Sequence, residues 1–305
     1  MDKIQQQLLQ EVAGIHQVPE GAYSLRINGA LYGKNSSEHI RIEQKKDKPG
    51  IDIFVEAGTK NESLHIPVIL SQSGLKELVY NDFYIGEDCD VTIVAGCGIH
   101  NGGSEASEHS GVHAFYLSKN AKVRYIEKHY GQGDGNGKNL MNPHTHAELG
   151  ENSYMEMETA QIKGVDSTKR KTTAKLSKNA TLIVKEKVMT HGAQVAETEF
   201  EVELLGENAS THVISRSVAR DRSTQKFISR VKGEAKCSGR TECDAIIMDD
   251  ATVAAIPEIL AVHPDATLIH EAAIGKIAGE QLIKLMTLGL TEKEAEEEIV
   301  NGFLK

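Results

Sequence analysis

Residues His144-Thr145-His146-Ala147-Glu148 place two imidazoles and a carboxylate at alternate positions. In an extended strand, alternate side chains share a face, so His144, His146 and Glu148 form a weak metal-binding candidate of borderline-ligand type. Asn142-Pro143 opens the segment as a turn, and histidines at a β corner need no ligand. His191, His212 and His263 stand alone and suit surface or hydrogen-bonded roles. The four cysteines, Cys89, Cys97, Cys237 and Cys243, contain no CxxC pair and are too few for a disulfide scaffold. Cys89 and Cys97 bracket Val91-Thr92-Ile93-Val94 and read as small buried hydrophobes. Cys243 is the thiol best placed for sulfur chemistry. It leads into Asp244-Ala245-Ile246-Ile247-Met248, and Lys236 and Arg240 nearby are expected to lower its pKa. The loop Gly131-Gln132-Gly133-Asp134-Gly135-Asn136-Gly137-Lys138-Asn139 fails as a phosphate-binding loop. The residue five before Gly137 is Gln132, and Asn139 stands where a magnesium-holding Ser or Thr is needed. No nucleotide is therefore expected on this chain.

The elements that must hold these residues are mostly strands. The chain has 305 residues, of which 39% are hydrophobic and 26% charged, a globular balance. Aromatics are 5% with no Trp, while glycines number 27, which suits a turn-rich β structure. Net charge is 34 − 44 = −10, which argues against a nucleic-acid surface. No apolar run approaches the ~20 residues that span a bilayer, and Met1–Gln6 has no signal-peptide core, so a cytoplasmic protein is expected.

Residues 1–21 read as a short N-terminal helical segment, with Ile4, Leu8, Leu9 and Val12 near one face. Residues 22–269 form a long β body, with strand-like runs such as Ile51–Val55, His65–Leu70, Val91–Val94 and Thr181–Val184 bounded by Gly, Asn, Asp or Ser. An Asn or Asp followed by a small residue recurs at Asp88, Asn120, Asn152, Asn179 and Asn208, at spacings of 32, 32, 27 and 29, with Asp265 as a later member. Asn and Asp tolerate the left-handed conformation, so each marks a corner. Strands repeating at this period without helices predict the stacked coils of a β-solenoid. Residues 270–305 read as a two-helix C-terminal segment. One helix carries Ile274, Ala278, Leu282, Leu285 and Met286 and ends near Gly289. The second opens at the capping box Thr291–Glu294 and runs through Ala295, Ile299 and Phe303.

A set of C-terminal motifs carries a resemblance. Gly239-Arg240-Thr241-Glu242-Cys243-Asp244-Ala245-Ile246-Ile247, Ala255-Ile256-Pro257, His270-Glu271-Ala272, Gly275-Lys276-Ile277, Glu280-Gln281-Leu282, Gly289-Leu290 and Ile299-Val300-Asn301-Gly302-Phe303 follow in order. Together they resemble the SufB/SufD family, the scaffold subunits of an iron–sulfur cluster assembly machine. Leu64-His65-Ile66-Pro67-Val68 and Gly150-Glu151-Asn152-Ser153 are weaker landmarks. The resemblance implies a mainly β fold, a parallel β-helix core with helical ends. It implies a non-catalytic scaffold carrying a transient iron–sulfur cluster for apoprotein recipients. It also implies a SufC-like ABC ATPase on the C-terminal helices, with ATP hydrolysis on that partner, and pairing of β-helices with the cluster site at their junction. Cys243 matches the family cysteine implicated in cluster assembly, Glu271 its acidic neighbour, and His270 the position of a functional His in the SufD half. A homodimer could supply Cys243 and Glu271 from one protomer and His270 from the other.

The chain departs from the family at one point. The sulfur-accepting cysteine of the SufB core would fall near Glu148, where there is none, so sulfur reaches Cys243 by another route or Cys89 or Cys97 substitutes. Two rival readings remain. A metal-dependent enzyme would centre on His144, His146 and Glu148, and a carbohydrate-active β-helix enzyme would need clustered carboxylates beside an aromatic platform.

Overall fold

The computed structural model describes residues 1–305. Its body is a parallel β-helix of about eight turns, flanked by short helices at both ends. Two ten-stranded sheets face each other, and the chain passes from one to the other at every corner. From Lys60–Leu70 onward each strand therefore pairs in parallel with the strand one coil earlier. In the first sheet the strands Lys60–Leu70, Asp90–His100, Lys122–Gln132, Tyr154–Lys163, Thr181–Thr190, Ser210–Ala219, Ser238–Ile247 and Thr267–Gly275 lie side by side. The N-terminal end is closed by antiparallel partners, Ala30–Asn35 on Ala22–Ile27 and Ile40–Gln44 on Gly50–Val55. At the C-terminal end Thr252–Ala261 and Thr267–Gly275 are the outermost strands, with no strand beyond them.

The Asn-small repeat is the corner of each coil. Asp88, Asn120, Asn152, Asn179 and Asn208 all take φ between 55° and 58°, a region open to Asn and Asp at low cost. Their side chains then stack into a ladder. Asn120 Nδ2 donates to Asp88 Oδ1 (2.9 Å), Asn152 to Asn120 (3.2 Å), Asn179 to Asn152 (2.8 Å) and Asn208 to Asn179 (3.1 Å). The small residues that follow, Cys89, Ala121, Ser153, Ala180 and Ala209, are buried beneath it. Asp265, expected as a further member, does not take a positive φ. There the turn closes through His263, whose Nδ1 accepts from the Asp265 amide at 3.1 Å.

Alternation along each strand sends every second side chain into the space between the sheets. Aromatic rings fill its first half, with Phe83 and Phe115 stacked at 4.3 Å and Tyr125 edge-on to Phe115 at 5.0 Å. Helix α1 (Lys3–Ala13) buries Leu8, Leu9 and Val12, while Ile4, expected on that face, is exposed. The helix lies on the outside of the first sheet over Gly96 and Gly98, where a Cβ would meet Val12 and Leu8 at 3.0 Å.

Helix α2 (Gly279–Met286) starts later than expected, because the strand Thr267–Gly275 continues through Ile274. The boundary drawn at 269/270 thus falls inside a strand, and His270 and Glu271 belong to the β body. Helix α3 (Glu292–Phe303) has the expected Thr291–Glu294 capping box. It packs Val300 and Leu304 on Val218 at the outside of the first sheet. No helix is long and apolar enough to cross a membrane.

Candidate functional site

The strand Ser238–Ile247 turns Gly239, Thr241, Cys243 and Ala245 inward. Small residues suit these positions because the coil is narrow: a Cβ on Gly239 would meet Leu268 and Val231 at 2.9 Å. On the neighbouring strand His270 pairs with Thr241, Glu271 with Glu242 and Ala272 with Cys243. His270 therefore faces the same interior as Cys243, diagonally across one step, in the last coil of the helix. Glu271 faces the opposite side, where its Oε2 accepts from Arg240 Nη2 at 2.7 Å. Both ring nitrogens of His270 are buried and make no hydrogen bond, and burial lowers its pKa. The residue as a whole is half-buried, and ring nitrogens left without a partner carry a desolvation cost of about 1–3 kcal/mol that a ligand or a covering surface would relieve.

The expectation that Lys236 and Arg240 activate Cys243 is overturned. Cys243 is 1% exposed. Its pKa is pushed up to about 12 by burial, then by the charges of Glu186 and Asp244. Arg240 turns outward to Glu242 and Glu271, and Lys236 is exposed before the strand begins. Adjacent residues in a strand point to opposite faces, so nearness in sequence did not become nearness in space.

A buried polar row, unnoticed from sequence, leads to this thiol. Glu127, Thr159, Glu186, Ser215 and Cys243 are in register on successive strands and all face inward. Arg170, from the facing sheet, bridges the row, with Nη1 2.5 Å from Glu127 and Nε 3.8 Å from Glu186. Burial alone would raise the Glu127 carboxyl, but the Arg170 guanidinium and then His129 hold it well below the usual range. For Glu186 burial wins and the pKa is raised. Ser215 Oγ and Thr198 Oγ1 donate to its carboxylate at 2.9 and 3.0 Å. The signal in the sequence was the unbroken alternation of Val123, Tyr125, Glu127 and His129, which puts two ionisable groups on the core side.

His144, His146 and Glu148 do share the outer face of the strand His144–Leu149. No three His, Cys, Asp or Glu side chains of the single chain, these included, are grouped so as to hold a metal ion. Alternate residues on one strand lie about 7 Å apart. The ring of His146 is taken up by Thr173 (2.8 Å) and Glu148 (3.2 Å). The remaining thiols are buried: Cys89 Sγ donates to the Glu56 carbonyl at 3.0 Å, and Cys97 sits in an apolar cluster with Val68, Leu70 and Ile99. Outside the second sheet, Phe54, Tyr84 and Tyr116 stack at 5.0 and 5.3 Å.

Residues 79–303 match the family model described as SUF system FeS cluster assembly, SufBD core domain. An iron–sulfur cluster assembly SufBD family protein of Archaeoglobus fulgidus is 30% identical over 279 residues, 89% of this chain and 72% of that one. Another, from Methanocaldococcus jannaschii, is 28% identical over 88% of this chain and 85% of its own length. The iron–sulfur cluster assembly protein SufB of Bacillus subtilis is 34% identical over 105 residues, 33% of this chain and 23% of that protein.

Proposed function

The chain belongs to the SufBD family of iron–sulfur cluster assembly proteins, and on that premise we propose that it is a non-catalytic scaffold on which a cluster is built and released at the C-terminal end of the β-helix. Cys243 is the anchoring ligand, and His270 contributes a weaker bond from the same interior. Thiolate holds iron firmly while imidazole and carboxylate hold it loosely, so a mixed set favours release. Because the thiol is held protonated by burial, iron must displace its proton on binding, which makes loading pH-dependent.

One observation carries the reading: Cys243 and His270, whose ring nitrogens are buried and unpartnered, share the interior of the last two coils, where Thr252–Ala261 and Thr267–Gly275 are edge strands. An uncovered strand edge invites pairing. Ile256, Ile259, Leu260 and Ile269 on the two outermost strands are exposed. We read this end as the seat of a second copy, which would bring further ligands, Glu271 among them, to the junction. The partner that hydrolyses ATP is a SufC-like subunit docked on α2 and the turn after it, where Ile283, Met286 and Leu288 are exposed. Anaerobic reconstitution of wild type and Cys243→Ser, with iron and sulfide counted per protomer, tests the scaffold. The serine variant should retain no cluster, and wild-type content in it would sink the assignment.

A further inference from the structure

Outside the first sheet, away from Cys243, lies a cavity of about 410 Å³ beside the end of α3, within the range of small-molecule sites. Its floor is one register row on four adjacent strands: Lys128, Ala160, Lys187 and Arg216. Ile126 and Ile214 form its apolar shoulder. Glu127 and Glu186 contribute only backbone there, since their carboxylates turn inward to Arg170.

The charge pattern is unfavourable by itself. Lys187 and Arg216 are direct cross-strand neighbours, about 4.8 Å apart at the backbone, and like charges so placed repel. Neither Lys128 nor Arg216 forms an ion pair, although Asp244 is next to Arg216 in the row. Lys187 finds only the backbone oxygen of Lys305, at 2.7 Å. The nearby carboxylates are engaged elsewhere, Glu158 with Arg124 and Glu156 with Lys185. Lys128 and Arg216 thus stand without a partner on a chain of net charge −10, around a gap that Ala160 keeps open.

From this geometry we infer that the cavity binds a small phosphate-bearing molecule with two or more negative charges, held by Lys128, Lys187 and Arg216. The site is separate from the cluster site, and Lys187 exchanges its bond to the Lys305 carbonyl for one to the ligand.

Titrating the full chain calorimetrically with inorganic pyrophosphate tests this. Saturable binding of one anion per protomer is expected. Lys187→Gln combined with Arg216→Gln should weaken it about a hundredfold, tenfold for each charge-assisted bond lost. Lys226→Gln with Lys232→Gln, a cationic pair outside the second sheet, should leave it unchanged. Ala160→Glu, which fills the floor with a carboxylate, should abolish it in a chain with unaltered β-type circular dichroism. Without pyrophosphate, the Lys187/Arg216 double variant should unfold at the same temperature as wild type or higher, because a repulsion has been removed. No saturable binding, equal weakening by the control pair, binding retained in Ala160→Glu, or a destabilised ligand-free double variant would each overturn the inference.

Discussion

Arg240 and Glu271 form an ion pair of 2.7 Å on the outer face of the first sheet, on the side of their strands opposite to Cys243 and His270. The two residues that follow one another in sequence, His270 and Glu271, are thus divided between two environments. Within one protomer only His270 can join Cys243. His270→Ala should therefore lower iron per protomer after reconstitution several-fold, and Glu271→Ala should lower it less. Cys89→Ser and Cys97→Ser should be near-silent, their thiols being core groups. A larger loss in Glu271→Ala than in His270→Ala would place the cluster on the outer face instead.

The uncovered end gives an assembly prediction. Leu260 and Ile269 are 51% and 44% exposed on the two outermost strands. Charges on an edge strand oppose pairing, so Leu260→Lys with Ile269→Lys should shift the mass measured by light scattering from two protomers to one. An unchanged mass would move the contact away from this end.

The proposed dock for an ATPase is tested on α2 and the turn after it, where Ile283 and Leu288 are 63% and 77% exposed. Ile283→Asp with Leu288→Asp should abolish co-purification with the SufC-like subunit while α3 stays packed through Val300 and Leu304. The thermal midpoint should not fall, since neither side chain is buried. Retained co-purification would assign the dock to another surface.

Acid should weaken the β-helix through His113. It is buried, with Nδ1 against the Tyr125 hydroxyl at 2.7 Å and Nε2 against Asn81 at 3.3 Å. Burial lowers its pKa from 6.5 to about 4, opposed by Glu127 and reinforced by His109, His129 and Arg170. Between those values the unfolded chain binds the proton and the folded one does not. The stabilisation is therefore complete above pH 6.5 and is lost as pH falls toward 4, by up to about 3 kcal/mol. Urea denaturation at pH 7 and pH 5 should show this fall, and His113→Gln should reduce it. An undiminished fall in the variant would assign the effect to other groups.

Much of the architecture was legible in the sequence, and the Asn-small repeat shows why. A left-handed corner demands Asn, Asp or Gly, so each coil had to declare its corner in residue type, and Asn120, Asn152, Asn179 and Asn208 did. The capping box of α3 is local in the same sense: Thr291 and Glu294 bond within one turn, whatever surrounds them. The residues of the candidate site, Cys243, His270 and Glu271, were named through the resemblance of their motifs to the SufB/SufD family. What they can do was not contained there. Lys236 and Arg240 are close to Cys243 along the chain, yet alternation turns Arg240 outward, while burial pushes the thiol up and Glu186, 57 residues away but only two strands over, adds to it. The row Glu127–Thr159–Glu186–Ser215–Cys243 and the opposing row Lys128–Ala160–Lys187–Arg216 exist only because coils of unequal length stack in register. Local chemistry determined the corners and caps of this protein. Which charges share a low-dielectric interior, and which meet across a sheet, was decided by the stacking, because electrostatic effects follow distance through space and not separation along the chain.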